Sequence, residues 1–148
     1  MSKADFSNGL TASESMRVPF HDVDPANVVW HGRYFKYFEE VRRTLLEDLD
    51  YSYESMMASG YVWPVVDASV RYVRPLQLDQ RFTVTACIVE WELRLVVEYR
   101  IHGEDGTLYT KARTVQVPVD ATTRELIIGS PRILIDKIEE RLRARVPG

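Results

Sequence analysis

Between Tyr34 and Leu49 the apolar residues recur every three or four positions, and after Gly60 they recur every second position. That single change of period restricts the chain to a fold in which a long helix precedes a sheet. Tyr34, Phe38, Val41, Leu45 and Leu49 fall on one stripe, flanked by Phe35 and Leu46, while Lys36, Glu40, Arg43 and Glu47 take the wet side. Ser52 to Ser59 predicts one further short helical turn, with Gly60 as a left-handed stop.

Beyond Gly60, Val62, Val66, Ala68, Val70 and Tyr72 alternate with Trp63, Val65, Asp67, Ser69, Arg71 and Val73. A turn over Pro75–Gln80 leads to Phe82, Val84, Ala86 and Ile88, then to Leu95, Val97, Tyr99 and Ile101. The Gly103–Gly106 turn precedes a run over Leu108–Val119, and Asp120–Arg124 turns the chain towards Leu126–Ile128. Alternating β-branched runs separated by turn residues are how antiparallel hairpins look in sequence. Residues 16–21 read as a short first strand, with Pro19 marking an edge. Ser130-Pro131 opens a closing helix over about 131–145 that carries Leu134, Ile138 and Leu142. The expected fold is a single α+β domain over 1–148, with an extended or disordered N-terminus over about 1–12. A sheet of roughly five or six antiparallel strands curls around a helix at about 31–49.

At 148 residues and 45% hydrophobic content the chain has material for one real core. Its one cysteine, Cys87, excludes an intramolecular disulfide and any multi-cysteine metal site, and it reads as a core residue within a strand. The three histidines, His21, His31 and His102, lack metal-ligand spacing, so no metal or other cofactor is expected. A net charge of −3 argues against a nucleic-acid partner. Met1–Ser15 contains no apolar run and nothing approaches the roughly 18 apolar residues that span a bilayer, so no membrane association and a cytoplasmic location are expected. No Gly-x-Ser-x-Gly or nucleotide-binding glycine loop is present, which argues against a serine esterase.

The stretch His21-Asp22-Val23-Asp24-Pro25-Ala26-Asn27-Val28-Val29-Trp30-His31-Gly32 puts two carboxylates in a turn and delivers the chain into the first turn of the helix. A helix start offers unpaired N–H groups and a partial positive charge, suited to an oxyanion. A nearby carboxylate can attack a carbonyl or deprotonate water. The pattern resembles the 4-hydroxybenzoyl-CoA thioesterase and YbgC-like acyl-CoA thioesterases of the hot-dog fold, whose signature Asp22, Asp24, Val28, Val29, Trp30 and His31 match. The similarity continues through Tyr34, Tyr37-Phe38-Glu39, Val70–Leu76 and Asp79, and covers about 16–130.

By that resemblance the chain is a thioesterase releasing free acid and CoA, with Asp24 as nucleophile or general base and the backbone amide of His31 polarising the carbonyl. On residue type alone an Asp-x-Asp turn reads first as turn chemistry; the resemblance gives catalysis to Asp24 and leaves Asp22 to order the turn. The same resemblance implies a homodimer or homotetramer with active sites at the subunit interface. Trp30, Gly32, Trp63, Asp67, Ser69 and Arg71 are candidate substrate-binding residues, with a solvated strand face as the alternative for the last three. Arg71, Arg74, Arg81, Arg94, Lys111 and Arg113 are candidate phosphate partners or simple solubilising charges.

Two positions depart from the family pattern. Asn27 stands where glycine is usual, and as a residue tolerant of left-handed backbone it preserves the turn. Arg33 stands where many relatives carry a small residue or Asn. Competing readings are a thioesterase acting on an acyl-carrier protein, a non-catalytic acyl-thioester binding module, and a dehydratase using Glu39 or Glu40. The intact Asp24 favours hydrolysis.

Overall fold

The computed structural model describes residues 6–145. Its elements are β1 (Thr11–Arg17), α1 (Tyr34–Asp48), α2 (Tyr53–Ala58), β2 (Tyr61–Val62), β3 (Val65–Tyr72), β4 (Arg81–Glu90), β5 (Leu95–Gly103), β6 (Leu108–Gln116), β7 (Val119–Asp120) and α3 (Arg132–Arg145). Five strands form one antiparallel sheet in the order β1-β4-β5-β6-β3, and β2 pairs with β7 in a separate ribbon.

Residues directly opposite on paired strands share a face. One face carries Ala12, Val84, Ala86, Ile88, Val97, Tyr99, Ile101 and Ala112, and it closes on the buried stripe Tyr34, Phe38, Val41 and Leu45 of α1. The Phe38 and Tyr99 rings meet there at 4.9 Å. The Arg42 guanidinium enters this layer and donates to the hydroxyls of Tyr53 (2.9 Å) and Tyr99 (3.0 Å). From α3, Leu134 and Ile138 complete the core.

The expected helix is present: a single 3-10 turn, His31–Arg33, runs into α1, and Leu49 is its C-cap. Ser52 caps α2 by accepting the Ser55 N–H, and Gly60 takes φ +94° behind it. The first strand is a correction. It runs over Thr11–Arg17, upstream of the expected 16–21, and Phe20–Asp22 is a 3-10 turn. The strand escaped notice because Thr11, Ser13 and Ser15 face away from α1, leaving a small polar sequence with little apolar alternation. Part of the expected extended or disordered N-terminus, residues 1–5, lies outside the described residues.

Three other boundaries differ. The run after Gly60 breaks at Trp63-Pro64 into β2 and β3, with a bulge between Val65 and Asp67. The run expected to reach Val119 ends at Gln116, before Pro118. Leu126 makes only an isolated bridge to Val119, and Ile128 is 95% exposed, so Leu126–Ile128 is no strand.

Candidate active site

Asp24 and the start of α1 are joined by a small hairpin. The Asp24 N–H donates to the Val28 carbonyl (2.9 Å) and the Asn27 N–H to the Asp24 carbonyl (2.9 Å), closing a four-residue turn. Asn27 completes it at φ +64°, the left-handed conformation for which Asn substitutes well for glycine. The Asp24 carboxylate is half-buried, and its Oδ1 accepts the Ala26 N–H at 2.8 Å, an Asx turn that fixes one oxygen and leaves the other available.

The return limb of the hairpin, Val28–Trp30, is tied to the turn between β3 and β4. The Val29 N–H donates to the Leu76 carbonyl (2.8 Å) and the Leu78 N–H to the Asn27 carbonyl (3.1 Å). This limb feeds directly into the 3-10 turn at His31. Among the described residues no acceptor meets the N–H of His31 or of Gly32. They are the orphan donors that a helix start leaves. The Tyr72 hydroxyl, arriving from β3, donates to the His31 carbonyl at 2.8 Å.

Asp22 does something different. It is 1% exposed. Its carboxylate accepts from the Tyr37 hydroxyl (2.7 Å) and from Lys36 Nζ (3.0 and 3.1 Å), with Arg33 Nε at 3.8 Å and His21 Nε2 at 3.6 Å. Its backbone carbonyl accepts the Trp30 N–H at 3.0 Å. Burial by itself would raise its pKa, but the hydrogen bonds from Tyr37 and Lys36 and the Lys36 charge outweigh it and hold the carboxyl below its ordinary 3.8. Conversely, burial and the adjoining carboxylate push the Tyr37 phenol far up, so it stays a donor. Asp22 thus clamps the hairpin to the first turn of α1.

The remaining candidate residues are spread over the domain. Trp30 is 51% exposed and its indole lies over Gly32, where an added Cβ would overlap the ring. Gly32 therefore opens its face to the indole. Trp63 is in the core, where its N–H donates to the Tyr51 hydroxyl (3.4 Å) and its carbonyl accepts from Gln116 (2.8 Å). Asp67, Ser69 and Arg71 are exposed on the face of β3 turned away from α1, in register with Val115, Arg113 and Lys111. Tyr72, whose side chain points to α1 from the same strand, was missed as a site residue. Strand alternation set it opposite Asp67, Ser69 and Arg71, and its proximity to His31 depends on a pairing 41 residues apart.

The profile of the thioesterase-like superfamily matches residues 18–146. The acyl-CoA thioester hydrolase YbgC of Escherichia coli O157:H7 is 29% identical over 106 residues, covering 71% of this chain and 79% of that one. YneP of Bacillus subtilis strain 168 is 28% identical over 110 residues, covering 74% and 80%. Among solved structures, a DHNA-CoA thioesterase from Staphylococcus aureus superposes with TM-score 0.78 at 24% identity, covering 90% of this chain and 89% of that one. The expected hot-dog architecture, a curled antiparallel sheet on a long helix, is the one observed.

The lowered pKa of Asp22 makes a pH prediction. A carboxylate with a depressed folded-state pKa stabilises the fold above its unfolded value and loses that contribution as pH falls through its folded value. Asp22→Asn should cost about 1–3 kcal/mol near neutrality, the range for charged hydrogen bonds to a buried group. The gap to the parent should close as pH falls below 3.8. Urea unfolding of both proteins across that range is the measurement, and a gap independent of pH would contradict the clamp.

Proposed function

The chain belongs to the thioesterase-like superfamily, and from that footing we propose that it hydrolyses acyl-CoA thioesters through Asp24 and the N–H groups at the start of α1. The observation that carries the reading is the hairpin itself. It fixes one oxygen of the Asp24 carboxylate in an Asx turn and runs straight into two N–H groups that lack an acceptor among the described residues.

In this mechanism the thioester carbonyl oxygen accepts from the helix-start N–H of His31, with Gly32 beside it, and their pull grows as the oxygen becomes an oxyanion. Asp24 either attacks the carbonyl carbon or takes a proton from an attacking water. In the first case a C–O bond forms as the C–S bond breaks, and water then cleaves the mixed anhydride. In the second, the tetrahedral intermediate expels the thiolate directly. Either way the products are the acid and the thiol, with one water consumed. Asp22 takes no part in bond making, since both of its oxygens are already occupied by Lys36 and Tyr37.

The proposal extends to assembly. β3 is an edge strand bearing exposed Val65, Val66 and Tyr72, with Val73 just beyond it, and an open apolar edge of that kind pairs readily with another chain. A second copy there would stand beside Tyr72 and hence beside the helix start, in keeping with a shared active site. Arg33 and Lys36 around Asp22 supply positive charge, and His21 beside them follows the exposed Phe20 in the chain, a surface that also suits an acidic acyl-carrier protein. A substrate screen should therefore include acyl-CoAs and an acyl-carrier thioester.

Replacing Asp24 by Asn keeps its size and turn acceptor but removes both nucleophile and base. The expected loss in kcat is about 10²–10⁴-fold, with little change in Tm or substrate affinity. Asp22→Asn, assayed below its own Tm, should keep most of its kcat. Near-parental turnover in Asp24→Asn, or a loss explained by unfolding, would contradict the assignment. Light scattering should give at least twice the 17.2 kDa chain mass, and a strict monomer would contradict the shared site.

A further inference from the structure

We propose that Tyr72 is a positioning residue for the reaction, its hydroxyl holding the His31 carbonyl so that the Gly32 N–H, the donor of the same peptide, faces the thioester. The inference rests on the role given above to the start of α1. The 2.8 Å bond from Tyr72 to the His31 carbonyl anchors the peptide that joins His31 to Gly32. The Gly32 N–H is the other end of that same planar unit, so fixing its carbonyl fixes the direction of the N–H. Donation to the carbonyl also polarises the peptide and strengthens its N–H as a donor.

Three features make Tyr72 suited to this task. Its ring is held edge-on against Tyr34 at 4.9 Å, and it also meets His31 edge-on at 6.4 Å, so the hydroxyl has little freedom. Its position on β3, in register with Thr110 of β6, ties the helix start to the sheet rather than to its own loop. Partial burial raises the phenol's pKa, so it stays a proton donor through the working range. Gly32 adds a reason for an external tie. A glycine at the helix start leaves the backbone free to reorient, and the Trp30 indole covers its open face.

Tyr72→Phe keeps the ring and removes only the donor. Its kcat should fall about 5–20-fold, less than the ~10²–10³-fold for deleting an oxyanion donor outright, with KM and Tm close to the parent. A second readout separates positioning from packing. Isotope-edited infrared spectra of benzoyl-CoA or hexanoyl-CoA, whichever turns over faster, labelled with ¹³C at the carbonyl, are recorded on Asp24→Asn. The bound carbonyl stretch should lie below its solution value, and in Asp24→Asn/Tyr72→Phe that displacement should shrink while affinity holds. Unchanged kcat in Tyr72→Phe, or an unchanged carbonyl displacement, overturns the proposal. So does a kcat loss accompanied by a lowered Tm. Near-parental turnover in Asp24→Asn would instead sink the assignment of Asp24, and Tyr72→Phe in the Asp24 background would still read Tyr72 through kcat alone.

Discussion

A carboxylate shut away from water must be compensated, and the compensation of Asp22 organises the end of this domain where the hairpin meets α1. Tyr37 and Lys36 reach it from the first turns of α1, while its own backbone carbonyl receives the Trp30 N–H. The loop before the helix and the helix itself are thereby locked at one relative angle. Isolated ion pairs on a surface contribute little. This one is different because the acceptor is wholly buried and its charged form is favoured by direct donors as well as by charge. The cost of desolvating Asp22 is offset only while the loop stays docked, which makes the hairpin a rigid mount rather than a mobile lid.

On that mount the polar groups divide the work. Asp22 faces inward and is fully engaged, whereas Asp24 faces the hairpin with one oxygen held and one available. Two residues apart and of identical chemistry, they differ in what they can do because one is saturated and the other is not. The carbonyl of His31 is engaged by Tyr72 while no acceptor among the described residues meets the adjacent N–H groups. The sheet thus presents the helix start, and the side chains of α1 secure the carboxylate loop.

Much of this was legible in the sequence. The stripe from Tyr34 to Leu49 located the helix because every turn of it buries a large side chain. The Asx-rich turn and the Asn27 substitution were legible because the backbone conformation needed there has few residue solutions. What escaped was non-local. β1 carries small polar residues on one face, so its strand character comes from pairing with β4 and not from its own pattern. The strength of the Asp22 clamp depends on Lys36 and Tyr37, 14 and 15 residues further on, meeting one carboxylate. Tyr72 was legible as a strand residue, yet nothing local announces that its hydroxyl ends at His31. Leu126–Ile128 shows the opposite error, an apolar run whose pairing with β7 stops at the isolated Leu126–Val119 bridge.

The most direct measurement is a crystal structure of the Asp24→Asn protein with an intact acyl-CoA bound. The account predicts the thioester carbonyl oxygen within hydrogen-bonding distance of the His31 or Gly32 N–H, and the side chain at position 24 alongside the carbonyl carbon. A thioester seated away from the start of α1, or one whose carbonyl is turned from both N–H groups, would contradict it.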